Sequence, residues 1–138
     1  MIGKLDEYMR FNETALSLRS QRQELLASNI ANADTPNYKA RDINFAAALQ
    51  GAMAGGKPGG AMNTTNTQHM ARGLATGDTL ANGTPVLYRG VVQGSVDGNT
   101  VDMDVERNQF ADNALRYEAG INMINSQIKG LLSAIQGQ

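Results

Sequence analysis

The segment from Gly51 to Lys57 has the residue types and spacing of a phosphate-binding loop. It matches the pattern G-x-x-x-x-G-K, in which backbone N–H groups and the lysine contact nucleotide phosphates. The pattern also needs a serine or threonine after the lysine to bind Mg²⁺, and this chain has Pro58 there. The loop should follow a strand and open a helix, whereas this segment follows a predicted helix and continues into more glycine. The sequence therefore argues against nucleotide binding.

A second cluster, of acidic and amide side chains, has the composition of a calcium loop. Its members are Asp97, Asn99, Asp102, Asp104 and Glu106. Counted from Asp102, the sixth position is Arg107, where a calcium loop needs glycine. A turn at Asp97-Gly98 followed by a helix that begins at Asp102 explains the same residues, because acidic groups stabilise helix N-termini. We predict that Asp102 is the N-cap and that no metal binds here.

The amino-acid composition excludes several kinds of catalytic and metal-binding site. The chain has no Cys, so disulfides and thiolate metal sites are excluded. His69 is its one histidine, so we predict neither a catalytic triad nor a transition-metal site around it. A pair of carboxylates for acid–base catalysis stays open, although no pattern places two of them in an apolar pocket. The net charge of −1 gives no indication of nucleic acid. We expect no cofactor, no small-molecule substrate and no enzymatic activity.

The sequence shows neither the pattern of a membrane span nor that of a cleaved secretory signal. No apolar run approaches the ~20 residues of a membrane span, and the first residues, Met1 to Glu7, lack the apolar core of a secretory signal. We expect a chain that stays in the cytoplasm or is exported by a route that uses no cleaved signal.

A heptad pattern near the C-terminus is the strongest structural signal. Apolar residues recur in steps of four and three, which is the spacing of a helix that packs along one stripe. Seven of the eight are large and apolar, so such a helix needs neighbours to cover them. We call this stripe the seam; it consists of Phe110, Ala114, Tyr117, Ile121, Ile124, Ile128, Leu131 and Ile135.

The positions beside the seam are small or carry amides, and Glu118 is the one charged residue among them. On one side lie Asn113, Gly120, Gln127 and Ala134; on the other lie Ala111, Glu118, Asn125 and Leu132. A two-stranded zipper usually has charged pairs at these positions. Their near absence favours close packing against more than one neighbour. A helix of a small bundle and a helix of a larger assembly both fit this pattern.

Residues 5–33 predict a second long helix, whose apolar residues are expected to pack against the seam. They include Leu5, Met9, Leu16, Leu26 and Ile30. The middle of this helix, from Arg19 to Glu24, is polar, so it is an imperfect cover. Either other subunits complete the packing there, or the helix presents different faces along its length.

The remaining chain divides by composition. Pro36 must end the first helix, and Asp42 is the predicted cap of a short helix through Phe45 and Leu49. Residues 51–83 are glycine-rich and are predicted to be mobile, and residues 85–92 predict a strand. We predict a mainly α fold: long N- and C-terminal helices pack as a coiled coil, with a mobile middle and a small β element. The segments are 1–50, 51–83, 84–101 and 102–138; the first and the last two form one structural unit.

Two stretches resemble the signatures of bacterial flagellar rod and hook proteins. The first is residues 20–45, and the second is residues 97–119, which begins Asp-Gly-Asn-Thr-Val-Asp-Met-Asp-Val-Glu-Arg. The resemblance covers roughly residues 5–50 and 84–136, and the chain lacks the large inserted domain of hook relatives. One departure is Asn37, where the family most often has glycine; Asn accepts the same turn. The core of the first signature is Asn29, Asn32, Thr35, Pro36 and Tyr38.

The resemblance implies a structural subunit of the flagellar basal-body rod. Terminal helices of such proteins pack within and between subunits into a tube that surrounds the export channel and transmits torque. It further implies export through the flagellar type III apparatus without a cleaved signal, and a place in the periplasmic rod. The implied partners are copies of the chain itself, other rod proteins, the rod-base adaptor and the export gate. The alternative is a cytoplasmic helical adaptor or flagellar export chaperone, which would stay inside the cell.

Overall fold

Two long helices account for most of the described chain. The computed structural model describes residues 2–54, 79–80, 83–90 and 95–137, with the backbone alone at residues 2–5 and 8. The predicted mainly α fold, with long terminal helices and a small β element, is confirmed. The predicted mobile middle lies largely outside the described residues. The elements are α1 (Ile2–Ala31), β1 (Arg41–Asp42), α2 (Phe45–Met53), β2 (Leu87–Tyr88) and α3 (Met103–Gln136).

Helices α1 and α3 pack against each other in antiparallel directions. Side-chain hydrogen bonds join Asn29 to Glu106 and Asn12 to Gln127, so position numbers rise along α3 as they fall along α1. With 30 and 34 residues, the helices are about 45 and 51 Å long at ~1.5 Å per residue. The predicted pairing of the terminal helices is thereby confirmed, and it extends over most of their length.

The capping predictions had opposite outcomes. Asp102 is the N-cap of α3, as predicted, because its carboxylate accepts hydrogen bonds from the Asp104 and Val105 amides. The predicted cap of α2 was wrong. Asn44 takes that position and accepts from the Ala47 amide at 3.1 Å, while the Asp42 carboxylate is held by two arginines. An ion pair with distant residues thus overrode a local signal for a helix start.

A small sheet and core lie beside the second half of α1. Strands β1 and β2 pair antiparallel, with Arg41 opposite Tyr88. The predicted strand over 85–92 is therefore shorter than expected, although residues 91–94 lie outside the described chain. The core consists of Leu18, Leu25, Ile43 and Ala48, with Phe45, Leu49, Leu80 and Val86 packed around it.

Within the described chain, the core lies at one end of the helix pair, which we call the thick end. Its residues on α1 all lie after residue 17, whereas Asn12 and Leu16, earlier on α1, contact Gln127 and Gly120 of α3. Among the described residues, no helix is long and apolar enough to cross a membrane.

Candidate assembly surface

The face of α3 that packs on α1 is polar. Four residues spaced seven apart form this face, which we call the inner stripe: Glu106, Asn113, Gly120 and Gln127. Asn113 donates to the Arg19 carbonyl at 2.9 Å and to Gln23 Oε1 at 2.6 Å. At Gly120, a Cβ atom would lie only 2.9 Å from Leu16 Cδ2. The two helices therefore meet through hydrogen bonds and through the Leu16 side chain packed on Gly120, with the seam to one side of this contact.

The seam runs beside the inner stripe and remains partly open to solvent. Phe110, Ala114 and Ile124 are half-buried, whereas Tyr117 and Ile121 are each 37% exposed. Ile128 is 39% exposed, Leu131 37% and Ile135 81%. The expectation that α1 would cover the seam is met only in part, because α1 contacts the neighbouring stripe of α3.

The packing residues predicted on α1 fall into different surroundings. Leu26 is fully buried, and Met9, Leu16 and Ile30 are half-buried. Leu5 lies within α1, and its side chain is outside the described part of the structure. The polar middle of α1 lies against the polar inner stripe. The sequence had paired that polar segment with the apolar seam, but α3 presents its amide side to α1 instead.

The signature residue Asn29 joins three parts of the fold. It is fully buried, and its Nδ2 donates to the Arg41 carbonyl at 2.8 Å and to Glu106 at 3.1 Å. Its Oδ1 accepts from the Arg41 amide at 3.0 Å and from the Tyr38 hydroxyl at 3.3 Å. One amide side chain thus connects α1, β1 and α3, which requires both its donor and its acceptor.

The other signature residues form the turn that ends α1. Asn32 donates to the Ser28 carbonyl and accepts from the Thr35 hydroxyl, while Thr35 and Pro36 are exposed. Asn37 has a positive φ of 60°, as the sequence indicated. The turn is fixed from outside by Asn99, whose Nδ2 donates to the carbonyls of Asn32, Ala33 and Thr35.

The sequence did not predict the role of Asn99, which it indicated only as part of a turn or as a possible calcium ligand. Asn99 is 4% exposed, and it ties the segment before α3 to the end of α1. Gly98 next to it has a φ of 75°, and a Cβ atom there would lie 2.6 Å from Asn37 Oδ1. A signal was present, since an Asp-Gly-Asn turn often brings an amide into contact with nearby backbone, but its distant partner was not predictable.

A buried ionic network holds the thick end together. Arg22 and Arg89 both bind Asp42, at 2.8 Å each, and Arg89 also pairs with Glu106, whose side chain is fully buried. Gln109 accepts from Arg22 at 2.7 Å. Two cations face two carboxylates, so the network is balanced in charge, and it links α1, β1, the residue after β2, and α3.

The network changes the acidity of its members. Burial opposes ionisation of Asp42 and is the largest single influence, but the hydrogen bonds from Arg22, Arg89 and the Ile43 amide, together with the charge of Arg22, leave the pKa of Asp42 lowered. The hydrogen bond to Asp42 raises the pKa of Arg22. Both shifts favour the charged pair, which is the behaviour of a structural ion pair.

The arrangement offers surfaces for packing rather than groups poised for chemistry. Within the described chain, no cluster of three or more His, Asp or Glu side chains is placed to hold a metal ion. Of the acidic residues in the possible calcium loop, Asp102 caps α3, Asp104 lies in its first turn, and Glu106 belongs to the ionic network, while Asp97 accepts hydrogen bonds from Ser95 and the Asn99 amide. The fold defines a mainly α protein built on a pair of long helices, with an apolar stripe of α3 open to solvent.

Comparison with known proteins gives the family. A family model described as "Flagella basal body rod protein" matches residues 9–39. The chain is 48% identical to the flagellar basal body rod protein FlgB of Salmonella typhimurium over 140 residues, which cover 99% of each chain. It is 48% identical to that of Escherichia coli over 139 residues, and 49% identical to that of Cereibacter sphaeroides over 126 residues, or 90% of each chain.

The chain belongs to the FlgB family of flagellar basal body rod proteins. The resemblance found in the sequence signatures is thereby confirmed. None of these relatives supports the alternative of a cytoplasmic adaptor or export chaperone.

Proposed function

We propose that this chain is a structural subunit of the flagellar basal-body rod, built into a tube by helix–helix packing between subunits. Its site is the seam of α3, and no catalytic group is needed. The observation that carries the proposal is that the seam stays between about a third and four-fifths exposed at Tyr117, Ile121, Ile128, Leu131 and Ile135, although α1 runs alongside.

The exposed seam needs apolar neighbours, and the geometry of the helix pair fits other helices best. A continuous apolar stripe with heptad spacing packs into the grooves of a neighbouring helix. Large exposed apolar surfaces mark sites of protein association. From its membership of a rod protein family, we infer that its partners are copies of the same chain and other rod proteins. In a rod, the two helices of each subunit would form the inner layer around the export channel.

The outer layer would come from the thick end. Thr35 and Pro36 are exposed at the end of α1, and Leu87 and Tyr88 of β2 are 49% and 64% exposed. In our proposal these residues contact neighbouring rod subunits, and the rod transmits torque through both layers. The rod-base adaptor and the export gate are the further partners we propose, with export of the subunit to the periplasm by the flagellar apparatus and no cleaved signal.

The test is complementation of a strain that lacks this gene, with Ile128→Asp as the variant. Ile128 is preferable to Ile124, because Ile124 is more buried and its replacement would also disturb the monomer. A carboxylate on the seam would have to lose its water on assembly, which is costly without a partner. We expect no hook–basal bodies with Ile128→Asp and normal numbers with the unchanged gene, counted by electron microscopy.

The matched control is Met123→Asp, five residues away on the same helix. Met123 is 46% exposed, and it lies about 140° around the helix from Ile128 at 3.6 residues per turn. Met123→Asp therefore adds the same negative charge to α3 outside the seam, and we expect rods to form with this variant. Normal rods with Ile128→Asp would contradict the role of the seam, and normal basal bodies in the deletion strain would contradict the function itself.

A further inference from the structure

The exposed residues of α1 form a line as regular as the seam. Between residues 17 and 31, five residues of α1 are classed by their accessible surface as exposed, and they recur in steps of three, four, three and four. This is heptad spacing, so the five side chains follow one line along the helix, on a face that α3 does not cover. We call this line the outer stripe; it consists of Ser17, Ser20, Glu24, Ala27 and Ala31.

The outer stripe has the spacing and the small side chains that the open half of the seam requires. From Ile121 to Ile135 the seam advances in the same steps of three, four, three and four, and four of its five residues there are at least 37% exposed. Large side chains of one helix pack into the gaps between the side chains of another when the two repeats match. Four of the five residues of the outer stripe are serine or alanine, so a second helix can approach it closely.

Each of the two surfaces has one charged residue, and the charges are opposite. Glu24 is the charged member of the outer stripe, and Lys129 is the one charged residue of α3 from Ile121 to Gln136. Glu24 is the middle of its five positions, and Lys129 follows Ile128, the middle of the other five. Among the described residues, neither side chain is in an ion pair. When the two stripes are aligned end to end, Glu24 therefore meets Lys129.

Within one subunit these two residues are held far apart. Because Leu16 packs on Gly120 and the helices are antiparallel, Lys129 is level with about residue 7 of α1, roughly 25 Å along the axis from Glu24 at ~1.5 Å per residue. A second copy that points the same way and is displaced by this distance brings them level. Such a contact joins two different faces of the chain, so it is heterologous and repeats as an open helical array.

We propose that the outer stripe of one copy of this chain packs on the seam of the next copy between Ile121 and Ile135, with Glu24 paired to Lys129. The inference rests on the proposed rod function. It adds to that function the identity of the surface that covers the seam, which is the outer face of α1.

The first experiment exchanges the two charges in the complemented deletion strain. Glu24→Lys and Lys129→Glu each bring like charges together, and we expect hook–basal bodies to fall about fivefold or more with either variant. The double variant restores opposite charges and should recover most of the rods. Both residues are exposed, so the fold of the subunit should be unchanged.

The matched control for the charge exchange is Glu7→Lys. Glu7 is exposed on α1 but lies outside the outer stripe, so this variant should assemble normally. A double variant that assembles no better than the single ones would overturn the pairing of Glu24 with Lys129.

The second experiment adds bulk to the outer stripe. Ala27→Trp places a large side chain where the neighbouring seam must pack, and we expect hook–basal bodies to fall about tenfold or more. The control is Ala119→Trp, because Ala119 is also exposed in a helix but lies about 180° around α3 from Ile128 at 3.6 residues per turn. Ala119→Trp should assemble normally.

The third experiment is cross-linking, which detects the contact without depending on the number of rods. The chain has no native Cys, so Ala27→Cys and Asn125→Cys can be expressed as separate copies in one cell. Asn125 is next to Ile124, which lies opposite Ala27 in the aligned stripes. A short bis-maleimide added to purified basal bodies should join these two copies, and it should not join Ala27→Cys to Ala119→Cys.

The outcomes separate this contact from the rod function. Normal rods with Ala27→Trp, together with no rods for Ile128→Asp, would overturn the proposed contact and leave the rod function standing. Equal cross-linking of the Asn125 and Ala119 variants would overturn it as well. Selective cross-linking through Asn125 would support it.

Discussion

The inner stripe and the seam of α3 have the same seven-residue repeat, opposite chemistry and an unexpected order of burial. The inner stripe is polar, yet Glu106 is fully buried and Asn113 is 1% exposed. The seam is apolar, yet Ile121 and Ile128 remain 37% and 39% exposed. A monomer that maximised its own stability would bury the seam and expose the amides.

In our proposal, folding and assembly use separate faces of this one helix. Hydrogen bonds of the inner stripe fix how α1 and α3 meet, because each amide or carboxylate accepts only a partner at the right distance and angle. The apolar seam makes no such demand, and a neighbouring helix is able to pack on it. Variants of the two stripes should therefore fail in different ways.

The largest effect on monomer stability is expected at the inner stripe, from Glu106→Ala. The change leaves Arg89 beside an empty buried site and removes an acceptor of Asn29. Breaking a buried ion pair in this way costs about 3–5 kcal/mol. Urea unfolding followed by circular dichroism measures the loss.

The control for this prediction is Asp112→Ala. Asp112 pairs with Arg116 on the same helix, but the two side chains are 52% and 61% exposed. A surface pair of this kind contributes about 0–1 kcal/mol. An equal loss for both variants would mean that the buried network contributes no more than a surface pair.

The next effect tests the close approach at Gly120. Gly120→Ala would force the Leu16 side chain to move, because the added Cβ atom would lie 2.9 Å from Leu16 Cδ2, and we expect a cost of about 1 kcal/mol for overpacking. Gly130 is the matched position, because nothing lies within 4 Å of a Cβ atom built there. Gly130→Ala should instead stabilise the helix by about 1 kcal/mol, since glycine is a poor helix former. Thermal unfolding of both variants would decide whether the inner stripe needs its glycine.

The smallest expected effect is the pH dependence that Asp42 gives to the free energy of unfolding. Its pKa in the folded chain is below its unfolded value of about 3.9, so ionised Asp42 stabilises the fold above about pH 4. That contribution is lost as the pH falls through the lower folded pKa. The gap in unfolding free energy between the unchanged chain and Asp42→Asn should be full at pH 7 and narrow below about pH 4. A gap that stays constant down to pH 2.5 would contradict this assignment.

Several local features followed from the sequence. The cap at Asp102 lies directly before a helical pattern and has acidic residues after it, so its local signal was unopposed. The end of α1 near Pro36 and the positive φ at Asn37 are likewise consequences of residues next to one another in the chain.

The features that the sequence did not predict depend on residues far apart in the chain. Asp42 has the composition of a helix cap, but Arg22 and Arg89 reach it from 20 residues before and 47 residues after and hold it elsewhere. Asn99 has the composition of a turn or a calcium ligand, but it binds carbonyls more than 60 residues earlier. No local pattern encodes which distant partner a polar side chain meets.

The sequence by itself determined that two long helices form, where α3 begins, and that one stripe of α3 is apolar with a heptad repeat. These features follow from periodicity and capping, which act within a few turns of the chain. Only the tertiary structure decided which stripe of α3 faces α1. Glu106 and Asn113 meet partners on α1 that satisfy them at hydrogen-bonding distance, and Gly120 admits Leu16. This fit of polar groups turned the amide side inward and left most of the seam open to solvent.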